Sequence, residues 1–86
     1  MPYLLVVDKS IFSKNQVRLQ ALLRQIRIEA GMRQSDMAAK LGQPQSFVSK
    51  YESGERRLDL IELRHVCKAA GISLTDFTRR FEDVCK

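Results

Sequence analysis

The chain has 86 residues, of which 44% are hydrophobic and 29% charged, the composition of one small globular domain rather than of a disordered segment. At this size folding buries only about 60–65% of the unfolded surface, which excludes a large catalytic cleft between two domains. Fifteen Lys and Arg stand against ten Asp and Glu for a net charge of +5. Residues 1–58 carry ten basic and five acidic side chains and residues 59–86 five of each, so the whole excess lies in the first two-thirds, as expected of a face that meets a polyanion, the alternative being a solvated surface made basic for solubility.

The first dozen residues differ in character from the rest of the chain. Tyr3-Leu4-Leu5-Val6-Val7 is the longest apolar run. It is far short of the ~18 residues of a membrane span, and it lacks the basic flank and cleavage site of a secretory signal. The run is β-prone. Residues 1–12 are therefore expected to form an N-terminal arm, either mobile or a strand that pairs with another chain.

Five helices are expected after it, in a domain spanning residues 13–84. Residues 14–30 form the first, with Ser13 as N-cap and Gln16 completing a capping-box pattern. Leu19, Leu22, Leu23, Ile26 and Ala30 mark its buried stripe, and Gly31 ends it. Residues 34–41 form the second, with Met37, Ala38 and Leu41 inward. Gly42-Gln43-Pro44 makes a turn. Residues 45–53 form the third, with Val48 and Tyr51 inward and Pro44 suited to the helix start. Asp59 with Glu62 caps a fourth over 60–70, whose buried face is Leu60, Ile61, Leu63, Val66, Cys67 and Ala70. Ser73 with Asp76 caps a fifth over 74–84, carrying Leu74, Phe77, Phe81 and Val84.

The strongest functional signal is Gln34–Ser53, QSDMAAKLGQPQSFVSKYES. It reads as a helix, a glycine turn and a second short helix. Ala38 is small enough for the two to cross closely. Such a rigid pair can present its second helix to the major groove of B-DNA, which is wide enough to admit one. The polar positions of that helix, Gln45, Ser46, Ser49 and Lys50, face away from Val48 and Tyr51.

In these residues the chain resembles the helix-turn-helix domains of phage repressor, Cro and xenobiotic-response-element-type regulators. The resemblance covers roughly residues 14–78. It rests on Ile28-Glu29-Ala30-Gly31-Met32 leading into Gln34, then Ala38 and Gly42, then the run from Gln45 through Ser53-Gly54-Glu55-Arg56-Arg57-Leu58. The resemblance implies an all-α, five-helix lambda-repressor-like domain, here with its N-terminal arm or strand. It also implies a cytoplasmic, sequence-specific transcription regulator, most often a repressor, that binds double-stranded DNA as a homodimer.

Gln45 and Ser46 fall where the resemblance places base-reading residues. Gln can bond adenine N6 and N7 together, Ser is permissive, and Lys suits guanine O6 and N7. Gln45, Ser46 and Lys50 are thus candidate base readers, with Ser49 on base or phosphate. Phe47 either packs beneath the second helix or touches a thymine methyl. The resemblance puts Gln34 on the DNA backbone, at a helix start whose amides and dipole favour phosphate. Ser53, Arg56 and Arg57 are candidate phosphate contacts after the third helix. The family usually has Ser or Thr where Arg33 stands. Arg33 cannot accept the orphan amide bonds, so a frayed or water-capped helix start is expected, with Arg33 itself reaching for phosphate. By resemblance, Arg27 and Glu52 form an ion pair between the first and third helices.

A single domain of this kind reads few bases, so two copies are expected. Phe77, Phe81 and Val84 are the candidate interface, with the arm as the other option. Cys67 is expected in the core, His65 in solvent and Cys85 as an exposed thiol near the end. These three lack the spacing of a metal site, and no nucleophile-and-base or paired-carboxylate arrangement is evident. No enzyme, metal or cofactor is therefore expected. Residues 79–86 leave no room for a ligand-sensing domain, so regulation is expected through protein level or a partner. The alternatives are a controller- or antitoxin-type regulator, and a protein-interaction adaptor that reuses the helix-turn-helix shell.

Overall fold

The structure, a computed structural model, describes the backbone of residues 2–86 and the side chains of residues 14–86. It is all-α, with five helices: α1 (Pro2–Glu29), α2 (Gln34–Leu41), α3 (Gln45–Ser53), α4 (Leu60–Ala69) and α5 (Leu74–Val84). The ends of α2 to α5 fall within one residue of those predicted.

The start of α1 does not. The helical span takes in Tyr3–Val7, the stretch for which a strand was an option, and Ser13 lies inside a helix instead of capping one. No glycine or proline stands between Tyr3 and Ala30 to interrupt the ladder. Strand preference, by contrast, depends on a half-buried pleated surface to pack against. A helical backbone at Tyr3–Val7 bonds its N–H and C=O groups within the helix, so the expected strand pairing with another chain is not what this segment offers.

Three of the helix starts are held by different chemistry. At α4 the Asp59 carboxylate accepts from the Glu62 amide at 2.7 Å, and Glu62 accepts from the Asp59 amide at 2.9 Å. Each satisfies one of the orphan donors of a helix start. At α5 the Ser73 hydroxyl accepts from the Asp76 amide at 3.0 Å. At α2 the first-turn amides receive no side-chain cap, as expected from Arg33. Arg33 offers no acceptor, but Asp36 reaches back to the Arg33 amide at 2.9 Å. Its two oxygens also receive the Arg33 guanidinium, each at 3.2 Å. Only the reverse half of a capping box is therefore formed, and the acceptor that a Ser or Thr would offer to the first-turn amides is not replaced.

The turn between α2 and α3 depends on Gly42, whose φ of 65° is the left-handed conformation that glycine adopts without a Cβ penalty. There the Gly42 amide donates to the Ala39 carbonyl at 3.2 Å and the Gln43 amide to the Ala38 carbonyl at 3.0 Å, a Schellman closure. Pro44 then leads directly into α3.

The core is formed by Leu22, Leu23 and Ile26 of α1, Met37 and Ala38 of α2, Val48 and Tyr51 of α3, Val66 and Cys67 of α4, and Phe77 of α5. Met37, Val48 and Cys67 are fully excluded from water. Burying a side chain of the size of Met or Val stabilises by about 1.5–3 kcal/mol. The phenol of Tyr51 shares this interior with its hydroxyl unpartnered, and burial pushes its pKa up. Burial likewise pushes the Cys67 thiol up to about 11, which makes it a packing residue and a poor nucleophile. Cys85 is half-buried, not the exposed thiol expected.

Three further expectations need correction. Leu60 and Ile61 are 66% and 70% exposed, not part of the buried face of α4. They occupy its first turn, where side chains tilt toward the helix N-terminus and overhang the packed block; the stripe that reaches the core begins at Leu63. Phe77 is 1% exposed and belongs to the core, so it cannot form a self-association surface. Ala30 follows the last turn of α1 and is exposed.

Candidate nucleic-acid interface

Helix α3 packs on α1 and α2, and its two sides differ completely. Val48 and Tyr51 are sealed, at 0% and 1% exposure. Gln45, Ser46, Ser49 and Lys50 are all exposed, and none of the four side chains takes part in the side-chain hydrogen bonds or ion pairs among the described residues. A polar row of this kind, on a rod held by its other face, leaves its donors and acceptors open to a partner.

The rod is anchored by one carboxylate. Glu52 lies at the last turn of α3, with its side chain 5% exposed. Arg27 of α1 donates to it twice, Nε to Oε2 at 2.7 Å and Nη2 to Oε1 at 3.0 Å. Gln34, at the start of α2, donates its Nε2 to Oε1 at 3.1 Å. The remaining Arg27 nitrogen, Nη1, donates to the Met32 carbonyl at 2.8 Å. Glu52 thus ties α1, α2 and α3 together, and its hydrogen bonds hold the Arg27 pKa above its usual value. The Arg27–Glu52 pair expected from the sequence is present. Gln34 joins it, its side-chain amide bonded to Glu52.

Phe47 is a packing residue. Its ring meets Tyr51 edge to face, with centroids 5.6 Å apart and planes at 77°, a favoured aromatic geometry. The Arg56 guanidinium lies over the same ring, 4.7 Å from its centroid. Arg56 in turn donates to both oxygens of Glu62, at 3.1 and 2.6 Å. Sequence reasoning gave Arg56 to phosphate and missed this partner. The signal lies in the spacing to Glu62, which the sequence offers first as half of a helix cap. Ser53 is exposed and its hydroxyl donates to the Lys50 carbonyl at 3.1 Å. Arg33 is exposed but paired with Asp36, and Arg57 is exposed.

No described helix is long and apolar enough to cross a membrane. Among the described residues no group of three or more His, Cys, Asp or Glu is placed to hold a metal ion. A shallow groove of about 720 Å³ lies between α2 and α4, lined by Lys40, Leu41, Gln43, His65, Lys68 and Ala69. It contains none of the candidate base or phosphate contacts.

The sequence pattern of the helix-turn-helix family matches residues 23–77, which hold α2, α3, α4, the last seven residues of α1 and the first four of α5. The chain belongs to the Cro/C1-type helix-turn-helix family, a family of DNA-binding transcription regulators. Among solved members, the XRE-family like protein from Pseudomonas syringae pv. tomato str. DC3000 is 40% identical, with a TM-score of 0.82 over 91% of this chain and 95% of that one. The restriction-modification controller protein C.Esp1396I is 25% identical, with a TM-score of 0.74 over 80% of this chain and 88% of its own. That controller has also been solved as a tetramer in complex with its natural 35 base-pair operator. No curated protein matches this chain.

Proposed function

We propose that this helix-turn-helix protein is a sequence-specific transcription regulator that binds double-stranded DNA as a homodimer, with α3 in the major groove. The observation that carries the reading is the two-sidedness of α3: an inner face sealed by Val48 and Tyr51, and an outer face on which Gln45, Ser46, Ser49 and Lys50 stand exposed and unpartnered. Gln45, Ser46 and Lys50 read base edges, with Ser49 on base or phosphate. Arg33, the backbone at Gln34, Ser53 and Arg57 meet phosphates on either side and fix register without carrying sequence information.

Two copies double the number of bases read and engage half-sites about one DNA turn apart. With Phe77 in the core, the large apolar side chains left exposed among the described residues are Val17, Ile28, Leu60, Ile61 and Val84, the last 45% exposed and three residues after half-buried Phe81. We favour Leu60 and Ile61, which are the most exposed of these and come soon after the loop that leaves α3. A contact there fixes the separation of the two recognition helices most directly. Regulation is by repression, because a protein seated on an operator that overlaps a promoter excludes polymerase. The likeness to C.Esp1396I supports a second reading, a controller of a restriction-modification system.

The test is selection from a random duplex pool, followed by sedimentation of the selected complex. An inverted repeat occupied by two chains, with affinity falling steeply as salt rises, is the expected result. Recovery of no common sequence would overturn the reading. A reporter with the selected site across its promoter then reads the sign of regulation.

A further inference from the structure

We propose that Arg56 is a positioning residue for the recognition helix: its guanidinium clamps Phe47 of α3 to Glu62 of α4, and this sets the angle at which Gln45, Ser46 and Lys50 meet base edges. The inference rests on the DNA-binding reading and deepens it.

Three contacts made by one residue support it. The Arg56 amide donates to the Lys50 carbonyl at 3.2 Å, which closes the end of α3. Its guanidinium lies over the Phe47 ring. The same guanidinium makes a two-pronged bond to Glu62, whose Oε1 also accepts the Asp59 amide at the start of α4. Glu62 is thereby fixed to the α4 cap before Arg56 reaches it. The bonds to Arg56 and to the Asp59 amide hold the Glu62 carboxyl below its ordinary range, so the bridge stays charged at neutral pH.

Location gives the clamp its function. Phe47 stands on α3 between the base-facing Gln45 and Ser46 and the buried Val48. The main packing of α3 is on α1 and α2, whereas α4 packs on α2 and α5. The stacked Phe47–Arg56–Glu62 bridge therefore adds a direct side-chain tie between the first turn of α3 and α4. Base-edge hydrogen bonds are directional, so the turn that carries the readers must be held in place by such support. Lysine cannot reproduce this arrangement. It lacks both the planar fork that fits a carboxylate and the flat face that stacks on a ring.

The experiment uses the full chain with Arg56→Lys, Arg56→Gln and Glu62→Gln, each checked for folding by circular dichroism and thermal melting. Affinities are measured for the duplex that the wild-type chain selects and for a duplex with one base pair of the site changed. Positioning predicts that Arg56→Lys and Glu62→Gln both narrow the preference for the selected duplex by roughly fivefold or more, the weakest value of one bidentate base contact. It also predicts that Arg56→Gln leaves the slope of log affinity against log salt unchanged.

A phosphate contact predicts otherwise. Arg56→Lys and Glu62→Gln would keep the preference intact, and Arg56→Gln would flatten the salt slope by about 0.9; that result overturns the proposal. Lower melting temperatures with an unchanged preference would reduce the bridge to a structural tie and overturn it as well. A wild-type chain that prefers no duplex sequence is a separate failure, of the DNA-binding reading itself, and removes the proposal with it.

Discussion

Arg27 and Glu52, 25 residues apart in the chain, meet through two hydrogen bonds of 2.7 and 3.0 Å with both side chains less than a tenth exposed. Removing one partner of such a pair strands the other charge in the interior. Glu52→Ala is expected to cost about 3–5 kcal/mol, which for a domain of this size lowers the melting temperature by roughly 12 °C or more. It also frees Gln34, so α3 loses its anchor to two helices and DNA affinity falls indirectly. A thermal melt decides: a variant that melts like the wild type would mean that the pair does not hold the fold.

A second ion pair reports on pH. The Arg80 guanidinium donates to both Glu29 oxygens, at 2.8 and 2.9 Å, and so joins α5 to α1. That bond, with a further one from Gln25, lowers the Glu29 carboxyl to about 2. A carboxyl lowered in the folded state stabilises at every pH above its ordinary unfolded value. That contribution drains away as pH falls through the folded value, so the window here runs from about pH 5 down to about pH 2. Glu29→Gln is therefore expected to melt below the wild type at pH 7, with the gap closing by pH 2. A gap that does not change with pH would contradict this assignment.

The two kinds of DNA contact separate in binding experiments. Lys50→Ala should cost about 1–3 kcal/mol and relax preference at particular base pairs, leaving other positions as selective as before. Arg57→Ala should weaken all duplexes alike and reduce the salt slope by about 1. Affinity titrations over a panel of single-base variants, repeated at several salt concentrations, distinguish them. Uniform weakening by Lys50→Ala would remove it from the base readers.

Self-association is read by sedimentation. Ile61→Glu places a charge within the Leu60–Ile61 surface and is expected to yield a monomer with weaker DNA binding. Val84→Asp is expected to leave the dimer intact. The reverse pattern would move the interface to α5.

Much of the molecule is legible in the sequence because helix punctuation is local. Asp59, Ser73, Gly42 and Gly54 act within a turn or two of where they stand, so the ends of α2 to α5 can be read without the fold. The outer row of α3 is legible for the same reason, since Val48 and Tyr51 fix which side faces inward. What escapes depends on partners that periodicity does not reveal. Leu60 and Ile61 look like core until the first turn of α4 is seen to overhang its neighbours. Phe77 looks like surplus apolar stripe until α5 is placed against α4. Arg56 and Gln34 look like cations and amides for DNA until Glu62 and Glu52 come within reach. At α2 the family-like position lacks a capping side chain, and Asp36 bonds only the Arg33 amide from the other direction.

The central claim is that the outer face of α3 reads a duplex through its major groove, and base-analogue substitution addresses it most directly. In the selected duplex, each guanine is replaced in turn by 7-deazaguanine, which removes a major-groove acceptor and leaves the minor groove untouched. Wild-type affinity should fall at one or more guanines, and Lys50→Ala, already without its partner there, should lose little more at that position. Unchanged wild-type affinity at every guanine, or equal further losses in the variant, would contradict the assignment of Lys50 to the major groove.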